Sequence, residues 1–185
     1  MPNVIAEGVP LLVLALVAIV AGSVALVLGR GVRPVLWTCL LLTLGVIVTL
    51  TLGSAIGGGA RSGQHINLMP WQEIDRGLTN RGSGAWRNVV GNVALFMPWG
   101  FAIACLARGG FWARASAGAV TGLLLSTGIE IAQYSLGRVA DIDDIILNTT
   151  GAMAGGVAGA LIASIVMRAR RRRARTAAPI EDATA

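Results

Sequence analysis

Apolar residues in this chain come in long unbroken runs, each close to the length of a membrane-crossing helix. The runs cover about Val9 to Leu28, Val35 to Ile56, Val89 to Ala107, Ala115 to Leu136 and Ile145 to Met167. A helix needs roughly 20 apolar residues to cross the hydrocarbon core. The pattern therefore predicts an all-α integral membrane protein with about five transmembrane helices in one bundle, the third interrupted by Pro98. Neither strand alternation nor an amphipathic period of 3.6 recurs along the runs.

Polar residues punctuate the runs unevenly. The first run is preceded by Glu7 and no arginine, and its arginines follow it, so it reads as a retained helix and not a cleaved signal. The longest connection, Gly57 to Asn88, is rich in Gly, Ser and Asn and holds four arginines. It is the segment with room for a small extramembrane structure or a re-entrant piece. Three regions follow: 1–56 with two N-terminal helices, 57–167 with the loop and three helices, and 168–185 as a basic tail.

Composition supports lipid as the solvent. The 185 residues are 55% hydrophobic and 13% charged, about half the charged fraction of a typical soluble domain. The net charge of +6 raises the question of nucleic acid, but its distribution answers it. All fifteen basic residues are arginines, and six lie between Arg168 and Arg175 with no nucleic-acid-binding module beside them. They read as topological charge with attraction to anionic lipids. Placing the tail in the cytoplasm puts the N-terminus outside and ten arginines inside against five outside. The four arginines of the long outer loop run against that balance. Cys39 and Cys105 fall inside spans and read as small apolar residues, and a single His65 leaves no histidine-rich metal site.

Candidate chemistry collects in the last three spans. Ser126, Glu130 and Gln133 lie on one face of the fourth, and Asn88 and Asn92 on one face of the third. The fifth begins with Asp141, Asp143, Asp144 and Asn148. Glu130 sits roughly 9 Å from the outer end at 1.5 Å per residue. In the topology above, Asn92, Glu130 and Asn148 meet at one level in an outward-facing polar pocket with Arg138 at its rim. A carboxylate in hydrocarbon costs about 3 kcal/mol or more at the centre, so it must face the bundle interior. Glu130 and Asp144 are thus candidate ligand contacts or proton-transfer groups. The structural alternative has Glu130 bonded to Asn92, Asn148 or Arg138, Asp141 and Asp144 capping the fifth helix, and Asp141 and Asp143 serving as capping or solvated loop residues. The oxygen-rich set also suits a hard divalent cation, but no spacing is diagnostic, so no metal and no cofactor is assigned. Gly151, Gly155 and Gly159, with Gly118 and Gly122, form small-residue stripes expected to join the fourth and fifth helices.

These residues resemble the VanZ-like family of bacterial membrane proteins, named after a teicoplanin-resistance protein. The resemblance is carried by Asn67-Leu68-Met69-Pro70; by Asn88, Asn92, Phe96, Pro98 and Gly100; by Ser126, Glu130 and Gln133; and by Arg138, Asp141, Asp144, Asn148 and Gly151. It implies a multi-helix protein of the bacterial plasma membrane, and some members are associated with resistance to glycopeptide antibiotics. It supplies no established reaction. Three functions stay open. One is a binding protein for a lipid, lipid-linked precursor or lipidated antibiotic, with Arg138 and Arg87 meeting a phosphate. The second is a carboxylate-dependent enzyme on an envelope lipid, although no GxSG-like serine, HExxH or histidine-bearing phosphatase signature is present. The third is a small lipid transporter, for which five spans are few unless the chain forms a homo-oligomer.

Overall fold

The computed structural model describes residues 31–56 and 66–176. In chain order it contains α1 (Val32–Ile56), β1 (Ile66–Asn67), α2 (Gln72–Thr79), α3 (Gly84–Leu106), α4 (Phe111–Ser135), β2 (Ala140–Asp141) and α5 (Ile142–Thr176). Four of these helices, α1, α3, α4 and α5, are long and apolar enough to span a membrane. They correspond to the second through fifth expected spans. The first, Val9 to Leu28, lies outside the described residues.

Helix boundaries depart from the apolar runs for local reasons. α3 starts five residues before the apolar run, because Ser83 caps it, its Oγ accepting from the Trp86 N–H at 3.1 Å. It also runs unbroken through Pro98, whose ring lies on an exposed face. α5 continues past Met167 through the arginines to Thr176, so the start of the basic tail is a helical extension of the last span.

α3, α4 and α5 form the tightest part of the bundle, with α1 laid against α3 and α4. Contacts show the directions. Val93, Met97 and Phe101 of α3 meet Gly151, Gly155 and Gly159 of α5, both helices advancing by four residues, so the two run parallel. Gly122 meets Ala152 and Gly118 meets Gly156, so α4 runs antiparallel to α5. The expected pairing of the glycine stripes is therefore corrected. The 151–155–159 stripe packs on α3, because a Cβ at those positions would fall 2.2, 1.9 and 2.6 Å from the carbonyl oxygens of Val93, Met97 and Phe101. The 118–122 stripe of α4 does face α5. Without a hydrophobic drive between helices in lipid, such backbone approach is what dispersion and Cα–H···O contacts require. Ile47, Phe96, Ile129 and Ala152, one from each long helix, close the core.

Within the Gly57–Asn88 connection, the described residues form a two-residue strand and a short helix. Ile66 and Asn67 pair in parallel with Ala140 and Asp141. α2 follows and rests on α3, where Gly77 lies so close that a Cβ would be 2.9 Å from the Ala85 carbonyl oxygen. This places the β1–α2 segment over the end of the bundle where α3 and α5 begin and α4 ends.

Candidate functional site

Carboxylates organise this polar end, and each has a distinct task. Asp141 immediately precedes α5, and its Oδ1 accepts from the Asp143 N–H at 2.9 Å, the bond of an N-cap. Its Oδ2 accepts from Asn67 Nδ2 at 3.1 Å, which ties the β1 strand to α5 by side chain as well as backbone. Capping by Asp141 is one of the alternatives that the sequence leaves open.

Asp143 is fully buried, at 0% exposure, and serves a different helix. Its Oδ1 accepts from the Trp71 N–H at 2.6 Å, and its Oδ2 from the N–H groups of Glu73 at 2.8 Å and Ile74 at 3.4 Å. A helix leaves its first N–H groups unpaired and carries partial positive charge there. α2 has no side-chain cap of its own; instead Asp143 caps it from 70 residues away in sequence. Trp71 holds a left-handed backbone (φ 74°, ψ −1°) at the entry to α2. That conformation costs a non-glycine residue about 1–2 kcal/mol, and the short bond from Trp71 N–H to Asp143 offsets it.

Asp144 points to another side of α5, one residue on. Its Oδ1 accepts from both Asn88 Nδ2 and Asn92 Nδ2, each at 2.8 Å. The two asparagines share a face of α3, as their spacing predicts, and together they lock α3 to α5. Glu130 is buried at 4% exposure, and its Oε2 accepts from the Asp141 N–H at 2.9 Å. Its two asparagine candidates are engaged elsewhere: Asn92 is drawn to Asp144, and Asn148 reaches Ser126. Glu130 thus fixes the start of α5 from the end of α4. The Arg138 charge acts on both Glu130 and Asp144, which places this arginine beside the cluster.

Deeper in the bundle, Asn148 Nδ2 donates to Ser126 Oγ at 3.0 Å. Asn148 is 2% exposed, yet its Oδ1 and the neighbouring Thr149 Oγ1 have no partner among the described residues. A buried unpaired polar atom costs about 1–3 kcal/mol, so this spot suits a water or a hydroxyl. Gln133 is directed elsewhere, its Nε2 donating to the Thr51 carbonyl at 2.9 Å. It joins α1 to α4.

A groove of about 730 Å³ opens beside this cluster. Ile66, Asn67, Leu68, Met69, Glu73 and Asp141 are among its walls. Leu68, Met69 and the nearby Trp71 expose their apolar side chains, and Arg76 pairs with Glu73 at the surface. Of the residues expected to bind a ligand, Asp141 lines the groove; Asn88, Asn92, Glu130 and Asp144 belong to the hydrogen-bonded cluster at the same end, and Asn148 lies deeper with Ser126.

Sequence reasoning missed two residues. Asp143 reads in the sequence as a capping or solvated loop residue. Neighbouring helix positions point about 100° apart, so Asp143 and Asp144 had to find partners on different elements, and that was the available signal. Arg114 enters the sequence reading only through its charge, yet it is 8% exposed and closes the far end of α3.

Four long apolar helices, clamped at one end by a loop and short helix held on buried carboxylates, define a small polytopic membrane protein. The chain belongs to the VanZ/LLP1 family, whose model matches residues 36–166. That match runs from α1 to the last apolar turns of α5 and includes every residue of the polar cluster. No curated protein and no solved structure matches the chain.

Proposed function

We propose that this chain is a binding protein of the bacterial plasma membrane. Its groove would hold the polar end of a lipid, a lipid-linked envelope precursor or a lipidated antibiotic on the outer side. The observation that carries this reading is the use to which the carboxylates are put. Asp141, Asp143, Asp144 and Glu130 each accept hydrogen bonds from within the chain: Asp141 and Asp143 hold the β1–α2 segment, Asp144 holds α3, and Glu130 holds the start of α5. Asp141 and Glu73 line one groove together with the exposed apolar side chains of Ile66, Leu68 and Met69. A wall of both characters suits an amphipathic ligand. Arg138 and Arg87 supply guanidinium groups at the same end for a phosphate, which offsets the repulsion of an anion by the carboxylates. A link to glycopeptide resistance follows if the ligand is the lipid-bearing drug or its target.

Lipid analysis of the protein purified in nanodiscs tests this reading. The expected result is a co-purifying, chemically unchanged lipid whose retention falls about tenfold in Glu130→Gln and Asp144→Asn, corresponding to about 1.4 kcal/mol. Both variants keep side-chain size but replace a charged acceptor with a neutral amide, which weakens the bonds that hold the polar end together. Full retention in both, with normal insertion, would sink the charged-site reading. A converted lipid would favour an enzyme instead, and redistribution between leaflets a transporter working as a homo-oligomer.

The orientation carries its own expectation. With Cys39 and Cys105 replaced by alanine, Gln72→Cys is labelled by an impermeant maleimide from outside intact cells. Thr176→Cys is labelled only after permeabilisation. The reverse pattern would put the groove on the cytoplasmic face.

A further inference from the structure

The end of the bundle opposite the groove carries a second cavity of different chemistry. A cavity of about 600 Å³ opens where the α3–α4 turn meets the arginine-bearing part of α5. Arg108, Arg114, Arg168 and Arg171 line it, with Phe111 and Met167 as its apolar wall, and no carboxylate is among its lining residues. The volume lies within the range of about 300–1,000 Å³ usual for ligand sites.

Arg114 is the fixed member of the four. It is 8% exposed; its Nε donates to the Gly109 carbonyl at 3.0 Å, and its Nη1 to those of Ala104 at 3.1 Å and Cys105 at 3.4 Å. It thereby satisfies the carbonyls that α3 leaves open at its C-terminus. Arg108, Arg168 and Arg171 stand around that anchored charge. Four guanidinium groups around one cavity repel each other, and an anion among them turns the repulsion into attraction. The Gly110 cap has no side chain to occupy the first N–H groups of α4, which open at the same place.

We infer that this cavity binds the phosphate head group of an anionic membrane lipid. Guanidinium forks match phosphate oxygens two at a time. Two features favour a lipid over a free phosphate. Phe111 and Trp112 stack edge to face at 5.0 Å at the cavity's edge, and Trp112 is 78% exposed, the placement of an aromatic residue at the membrane interface. About one and two turns back along α5 from Arg168, Ile165 and Leu161 are exposed, an apolar track for acyl chains leading away from the arginines. Basic pockets between spans are a known way to take such head groups. Whatever the groove at the other end binds leaves this cavity's chemistry unchanged.

Native mass spectrometry of the full chain tests it, after purification from nanodiscs of phosphatidylcholine and phosphatidylglycerol in equal parts. The wild type is expected to retain one phosphatidylglycerol in preference to phosphatidylcholine. The variant Arg108→Gln/Arg168→Gln/Arg171→Gln is expected to retain at least tenfold less. The variant Arg172→Gln/Arg173→Gln/Arg175→Gln removes the same charge from outside the cavity and is expected to stay within twofold of wild type. Equal losses in the two triple variants would reduce the effect to diffuse attraction and overturn the site. Displacement of the lipid by millimolar inorganic phosphate would overturn the lipid assignment in favour of a free anion. Should the first triple variant fail to insert, Arg168→Gln alone must lose at least threefold; an unchanged single variant overturns the proposal. Arg114 is left intact throughout, because its removal uncaps α3.

Discussion

Replacing Asp143 with alanine is expected to release the β1–α2 segment from the bundle while leaving the four long helices assembled. Three backbone N–H groups lose their acceptor at once: those of Trp71, Glu73 and Ile74. Hydrogen bonds to a charged acceptor contribute about 1.5–3 kcal/mol each. Two of these bonds are short and one is long, and the freed N–H groups regain water once the segment opens, so the net local loss is about 2–4 kcal/mol. Trp71 also loses the contact that offsets its left-handed backbone. Hydrogen exchange is the direct readout. The amides of Trp71, Glu73 and Ile74 should exchange at least about thirtyfold faster, as about 2 kcal/mol implies, whereas those of α3 and α5 near Met97 and Gly155 should not change. Asp143→Asn should fall between, since its amide keeps one acceptor oxygen but turns an N–H group toward other donors. Unchanged exchange at residues 71–74 in the alanine variant would show that Gly77 packing and the strand pair suffice to hold the loop. Because Asp141 borders the groove and depends on the same segment, ligand retention should be lost together with loop protection.

Gly155→Ala is expected to destabilise the helix bundle itself, through a single added methyl group. The new Cβ would lie 1.9 Å from the Met97 carbonyl oxygen, 2.8 Å from its carbon and 3.0 Å from its Cα. These are backbone atoms in the middle of a helix, so no side-chain rotation relieves the clash. α3 and α5 must separate, and the neighbouring contacts at Gly151 and Gly159 open with them. Overpacking of a good core costs about 1–3 kcal/mol, and this case should reach the upper end or exceed it. The check is thermal unfolding in detergent, followed by loss of the monodisperse peak. Gly91→Ala is the control, because a Cβ there meets nothing within 4 Å although it lies in α3. An equal, small effect at both positions would mean that α3 and α5 are not packed backbone to backbone.

The two variants separate what holds the membrane-embedded helices from what holds the loop. Gly155 acts in the apolar interior, where dispersion between closely packed backbones does the work. Asp143 acts at the polar end, where charge-assisted hydrogen bonds dominate. Loss of ligand retention without loss of helix packing is therefore the expected signature of damage to the proposed site alone.

By itself the sequence determined the solvent, the long helices and the place where polar chemistry gathers. Long apolar runs in α1, α3, α4 and α5 leave lipid as the environment, because every backbone polar group in hydrocarbon must be paired within its own helix. Spacing put Asn88 and Asn92 on one face and Ser126 and Glu130 on another, since helical period is a local property. The order of these residues also carried the VanZ resemblance. Only the tertiary structure decided the partners. The 151–155–159 stripe could have faced α3 or α4, and nothing in its own spacing distinguishes two neighbours. Glu130 had several hydrogen-bond partners within reach of a plausible bundle, and it meets a backbone N–H of Asp141, a group present at every residue and invisible to side-chain patterns. Asp143 caps a helix 70 residues earlier in the chain, and Arg114 closes a helix other than its own. Both depend on which helix ends the fold brings together, and helix ends attract charge wherever it comes from.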